Sequence, residues 1–124
     1  MLVRPEFGRV EDNKVDKPWG YELRWAITDR YAGKVLHVNK GEALSLQYHE
    51  RKDECQYVIG GVVDVELGVE GGELITRRMK AGDTLHITPG TRHRITAVED
   101  TDIVEISTPE LDDVVRLEDR YGRA

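Results

Sequence analysis

The sequence predicts one all-β domain, a barrel or jelly roll of short strands. Three observations carry that expectation. Val, Ile and Leu fall in short runs, the length of strands rather than of helices. The 12 glycines sit at the ends of many of these runs, where the chain must reverse tightly. Two of the runs, residues 41–61 (GEALSLQYHERKDECQYVIGG) and 82–93 (GDTLHITPGTRH), open with glycine and carry metal-ligating side chains. Two such segments meeting inside one small barrel predict a single divalent metal ion there.

The elements follow in order. Residues 1–16 are mixed in charge and predict an irregular arm or an extra strand. Residues 19–26 make a first strand, turned at Thr28-Asp29, and residues 31–38 a second, turned at Asn39-Lys40-Gly41. Residues 43–49 are a third. Residues 54–59 and 61–67 form a hairpin through Gly60-Gly61, and residues 73–79 pair after a Gly71-Gly72 turn. Residues 84–87, 93–98 and 103–107 complete the barrel, which spans residues 17–109. Residues 110–124 form a tail packed on the barrel, and residues 109–120 predict one helical turn.

Composition narrows the function classes. A chain of 124 residues buries a core without disulfides. The lone cysteine, Cys55, has no internal partner, which predicts a reducing, cytoplasmic setting. The first residues, MLVRPEFGRVEDNK, lack the apolar stretch of a signal peptide, and no run approaches membrane-spanning length. A net charge of −6 argues against nucleic acid or an anionic membrane as partner. A small-molecule substrate is the remaining expectation.

The ligand spacing has a physical logic. Side chains alternate faces along a strand, so Gln47 and His49 point the same way. A turn through residues 50–53 lets the chain double back and sets Glu54 opposite His49, while His93 arrives from a distant strand. Two imidazoles, a carboxylate and an amide oxygen suit Zn, Mn, Fe, Co or Ni as the divalent ion. Four protein ligands leave a place for water or substrate on a five- or six-coordinate ion, as a catalytic metal needs. Lys34 shares the parity of Leu36 and Val38 and is a candidate proton carrier.

Gly41-x5-Gln47-x-His49-x4-Glu54-x6-Gly61 resembles the first motif of the cupin superfamily, with Gln47 in place of its first histidine. Gly82-x5-Thr88-Pro89-Gly90-x2-His93 resembles the second. KPWGYE at residues 17–22, LSLQYH at 44–49 and VVRLEDRYGR at 114–123 extend the likeness to the C-terminal cupin domain of type II mannose-6-phosphate isomerase. That resemblance implies a single-domain cupin, a double-stranded β-helix, with Gln47, His49, Glu54 and His93 on the metal. It implies an aldose–ketose isomerase working through an enediol. Glu105 and Arg116 match positions that recur in the isomerase branch; Arg116 would grip a phosphate or sugar oxygens, or else pair with Glu118 or Asp119. Lys52 stands where the branch carries arginine and Gln56 where it carries an aromatic residue, so both are candidate substrate contacts in an altered pocket. Type II enzymes carry a nucleotidyltransferase domain ahead of the barrel, for which 124 residues leave no room. A barrel without that second activity is expected, on a sugar that need not be phosphorylated.

Other readings stay open. The same pocket could serve a dioxygenase or a lyase, marked by iron dependence with oxygen uptake. A non-catalytic sugar-binding barrel would bind tightly without turnover. His37 and His86 oppose the apolar positions beside them and read as surface or intersheet histidines, and Cys55 as buried filler. Glu110, Asp112 and Asp113 read as a solvated face or a helix N-terminus. Exposed edge strands make a homodimer, using the N-terminal arm, the expected assembly.

Overall fold

The structure, a computed structural model, describes residues 5–69 and 72–124. Residues 1–4 of the expected arm and Gly71 of the expected turn lie outside the described residues. A short 3-10 turn at Val10–Asp12 precedes the strands β1 (Lys14–Lys17), β2 (Gly20–Ile27), β3 (Ala32–Val38) and β4 (Leu46–Tyr48). Then come β5 (Glu54–Gly60), β6 (Val62–Gly68), β7 (Leu74–Lys80), β8 (Thr84–Ile87), β9 (His93–Ala97), β10 (Thr101–Ser107) and β11 (Val115–Glu118). Six strands form one sheet in the order β1-β2-β3-β10-β5-β8, and five form the other in the order β11-β4-β9-β6-β7. The pairings are antiparallel, as the expected all-β barrel requires.

Alternation sorts the strands that line the interior, β5 most clearly. On β5, Glu54, Gln56 and Val58 are buried while Cys55, Tyr57 and Ile59 face out. Registers then align side chains in rows across the larger sheet. Leu36, Ile103 and Val58 make one row, and with Val38, Val63, Val65, Ile95 and Trp19 they form the apolar core. Two residues along the same strands, Lys34, Glu105 and Gln56 make the next row, and all three are buried. The barrel interior therefore changes from hydrocarbon to charge within one step of the pleat. Gly61 (φ 95°) turns the β5–β6 hairpin; a Cβ there would collide with Thr101 and the backbone of Asp100.

Two expectations are corrected. The expected third strand, residues 43–49, is regular only over Leu46–Tyr48. Before it the chain touches β9 through a bridge from Ala43 to Thr96 and a bond from Leu44 N to Ile95 O at 2.9 Å. No helical turn forms over residues 109–120. Strand β11 forms instead, with Val115 opposite Tyr48 and Arg116 opposite Gln47, because β4 offers an open edge and Val114-Val115 favours extended backbone. Both alternatives for the arm are found in part: residues 5–9 are irregular ahead of the 3-10 turn, and β1 pairs with β2 over Lys14–Lys17.

The tail end is pinned by charge. Asp119 accepts hydrogen bonds from Arg123 N at 2.7 Å and Nε at 2.9 Å, and Arg120 donates to Gly41 O at 2.7 Å. The Arg123 guanidinium holds the Asp119 carboxyl at about 2, below its ordinary 3.8. A depressed carboxyl stabilises the fold above its unfolded value and loses that contribution as pH falls through the folded value. Asp119→Asn should therefore cost roughly 1–2 kcal/mol at pH 6. In urea denaturation the gap from the parent should close towards pH 2, and a gap independent of pH would contradict the ion pair.

Candidate metal centre

Among the described residues, His49, Glu54 and His93 place their ligand atoms within 4.8 Å of one another, and all three are buried. Both sheets contribute. Gln47 on β4 lies opposite His93 on β9, and Arg116 on β11 lies opposite Gln47, so Arg116, Gln47 and His93 form a row across the smaller sheet. His49 follows two residues after Gln47 on the same parity. Glu54 opens β5 in the facing sheet. The row that carries Lys34, Glu105 and Gln56 faces this one.

Hydrogen bonds decide which imidazole nitrogen is free. His49 Nδ1 lies 2.6 Å from the Asp113 carbonyl oxygen, and His93 Nδ1 lies 2.9 Å from the Thr91 carbonyl oxygen. A carbonyl only accepts, so each Nδ1 carries the proton and each Nε2 of a neutral ring is left as a lone pair. Both Nε2 atoms point at Glu54 Oε1, at 3.0 Å for His49 and 3.3 Å for His93. Burial opposes ionisation of Glu54, but its neighbour Glu105, the more readily protonated of the two, and the Lys52 charge hold its carboxyl far below the usual range. Two lone pairs and a carboxylate aimed at one buried point fit a divalent cation. Glu54 Oε2, buried without a hydrogen bond and 3.4 Å from Lys52 Nζ, agrees with that fit.

The cluster meets a cavity of about 90 Å³ through His49; Glu54 and His93 do not line it. Lys17, Arg24, Lys34, Lys52, Arg116 and Arg123 line it, against the two acids Glu22 and Glu105. This cationic wall stands in a chain whose net charge is −6. Lys34 Nζ lies 3.4 Å from Glu22 Oε1, which also accepts from Arg24 Nε at 2.7 Å. Burial works to raise the Glu22 carboxyl, but Lys34 and Arg24 outweigh it and hold it low. Burial, reinforced by the neighbouring Glu54 charge, pushes Glu105 up to about 7. Burial likewise pulls Lys52 down, yet Glu105 and Glu54 outweigh it and hold the ammonium above its ordinary value. Arg116 Nε is buried and has no hydrogen-bond partner.

Most sequence-predicted site residues meet here. Gln47, His49, Lys34, Lys52, Glu105 and Arg116 line the cavity, and Gln47 Oε1 accepts from Ser45 Oγ at 2.6 Å. Gln56, like Glu54 and His93, is not among its lining residues; its Nε2 donates to Glu105 Oε1 at 3.3 Å and orients the acid. Lys52 is held between Glu54 and Glu105, at 3.4 and 3.3 Å. His37 and His86 lie apart from the cluster, bonded to Asp102 and Asp53 at 2.7 Å each. Cys55 is exposed, not buried filler, because the parity opposite the inward Glu54 is the outer face.

The expectation of a solvated acidic face or helix N-terminus at Asp113 is corrected. Its carboxylate accepts from the backbone N–H of Glu50 at 3.0 Å, Arg51 at 2.7 Å and Lys52 at 2.9 Å. Glu22 was missed as well. Its signal was the shared parity of Glu22 and Arg24 in a strand next to Lys34.

The cupin-domain family matches residues 34–108 of the chain. This protein is a cupin. It is 32% identical over 115 residues to mannose-1-phosphate guanylyltransferase ManC of Salmonella typhimurium, a match covering 89% of this chain and 23% of that protein. Xanthan biosynthesis protein XanB of Xanthomonas campestris pv. campestris is 30% identical over 115 residues, covering 89% and 24%. This cupin thus spans about a quarter of the length of the curated relatives it matches. Among solved structures, KdgF from Halomonas sp. superposes with TM-score 0.70 at 28% identity over 82% of this chain and 92% of that one. Oxalate decarboxylase from Bacillus subtilis superposes with TM-score 0.78 at 18% identity, over 94% and 33%, a likeness of fold.

Proposed function

We propose that this cupin is a metal-dependent isomerase of a sugar or sugar phosphate, similar to mannose-6-phosphate isomerase. The observation that carries the reading is the cation-lined cavity that reaches the His49–Glu54–His93 cluster through His49. A neutral sugar needs no such excess of positive charge, whereas a phosphorylated one does. Curated relatives named mannose-1-phosphate guanylyltransferase are among its matches, which supports the same substrate class.

His49, Glu54, His93 and Gln47 would hold one divalent ion. Bound there, it would supply Lewis-acid polarisation of a substrate carbonyl. Arg116, with an unpartnered buried Nε, and the neighbouring Lys17 and Arg123 hold the anionic end of the substrate. Glu105 and Lys34 lie side by side across β10 and β3 and face the same cavity. They form the proton-moving pair: one takes the proton from the carbon beside the carbonyl and returns it to the former carbonyl carbon through an enediol, and the other carries the proton between the two enediol oxygens. Lys52 holds Glu54 and Glu105 in place.

Metal-stripped protein, reloaded separately with Zn, Mn, Fe, Co or Ni, should convert mannose 6-phosphate to fructose 6-phosphate at roughly 1 to 1,000 per second with at least one ion. His49→Ala and His93→Ala should lose the metal. Lys34→Met should keep it and lose about 100-fold or more in rate. Absence of conversion by metal-loaded protein would overturn the isomerase reading, and full metal occupancy in either histidine variant would overturn the ligand assignment.

A homodimer and a cytoplasmic setting belong to the same proposal. The free, exposed Cys55 suits a reducing compartment. The outer face of the six-stranded sheet exposes Trp25, Tyr57, Ile59 and Ile106, an apolar patch of the kind that marks a protein contact. Sedimentation should give a dimer that Ile106→Glu dissociates; a parent that sediments as a monomer would remove this part.

A further inference from the structure

We infer that Asp113 is a positioning residue that sets the tautomer and aim of His49 from the C-terminal tail. The inference rests on the proposed metal centre for its consequence, though not for its geometry. Asp113 engages the ligand segment twice. Its main-chain oxygen accepts the His49 Nδ1 proton at 2.6 Å. Its carboxylate collects the N–H groups of three successive residues, Glu50, Arg51 and Lys52, which form the turn between His49 and Glu54. Three consecutive amides converging on one anion make a concave nest.

The two engagements depend on each other. A carbonyl on a free tail would lose entropy each time it met an imidazole. Here the carboxylate has already fixed residue 113 against the turn, so the carbonyl is presented to the ring. The neighbouring backbone is held too: Val115 pairs with Tyr48, and Thr108 N donates to Asp53 O at 3.0 Å. His93 has a different arrangement. Its carbonyl partner, Thr91, lies two residues away in the same loop and needs no tail. The two ligand histidines are therefore oriented by independent devices, and only one of them reaches across 64 residues. The tail thereby couples the β11 segment, which carries Arg116, to the orientation of a ligand.

Long-range proton–nitrogen NMR on the metal-free protein reads each ring's tautomer, and Co²⁺ titration reads affinity. Parent protein should show both rings protonated at Nδ1. In Asp113→Ala, His49 should become a mixture of tautomers while His93 stays as it was, and Co²⁺ affinity should fall about 10- to 100-fold. Asp113→Asn, which keeps one acceptor oxygen, should fall between the two. It also supplies the reading if the alanine variant does not fold. Asp112→Ala, on the exposed neighbour, should match the parent. An unchanged His49 tautomer in both Asp113 variants would overturn the inference even if their stability fell. A parent that binds no Co²⁺ would instead sink the metal reading, and the tautomers would still decide the role of Asp113.

Discussion

Two buried imidazole lone pairs and one carboxylate oxygen crowd three acceptors around a single point. His49 and His93 each commit Nδ1–H to a carbonyl, so Nε2 of each neutral ring has no proton to offer Glu54. Burial removes the bulk water that would otherwise screen the three groups. A divalent cation standing between them satisfies all three at once. The surroundings follow from that point. Lys52 is set between Glu54 and Glu105, Gln56 steadies Glu105, and Glu22 pairs with Lys34.

The barrel topology is what lets these charges be adjacent. Antiparallel registers stack Lys34, Glu105 and Gln56 beside the apolar row of Leu36, Ile103 and Val58. A single stride along each strand takes the interior from core to site. The apolar rows hold the two sheets together and leave the polar rows to face each other across the cavity. The smaller sheet is completed at that end by β11, so the tail builds part of the wall as Arg116 joins Gln47 and His93.

Much of this was legible in the sequence, and the parts that were not have physical reasons. Gln47 and His49 lie two residues apart on a strand, and Glu54 follows a short turn, so periodicity alone brings them to one interior face. His93 was legible through a second turn-bounded strand. Parity itself places Cys55 outside, since with Glu54 pointing inward its neighbour must point out. Asp113 was illegible because its work is to accept backbone N–H groups from a turn about 60 residues earlier, and no local pattern encodes such a contact. Strand β11 is hidden in the sequence because acidic residues after Pro109 resemble a helix start, whereas the open edge of β4, a tertiary feature, draws Val115–Glu118 into the sheet.

The most direct measurement is a crystal structure of the metal-loaded protein with anomalous data collected at the metal's absorption edge. The account predicts one anomalous peak per chain, within about 2.0–2.2 Å of His49 Nε2, His93 Nε2 and a Glu54 oxygen, with both Nδ1 atoms still on their carbonyls. A peak at His37 or His86 instead, ligation through Nδ1, or no peak at the cluster in protein shown to carry metal would contradict it.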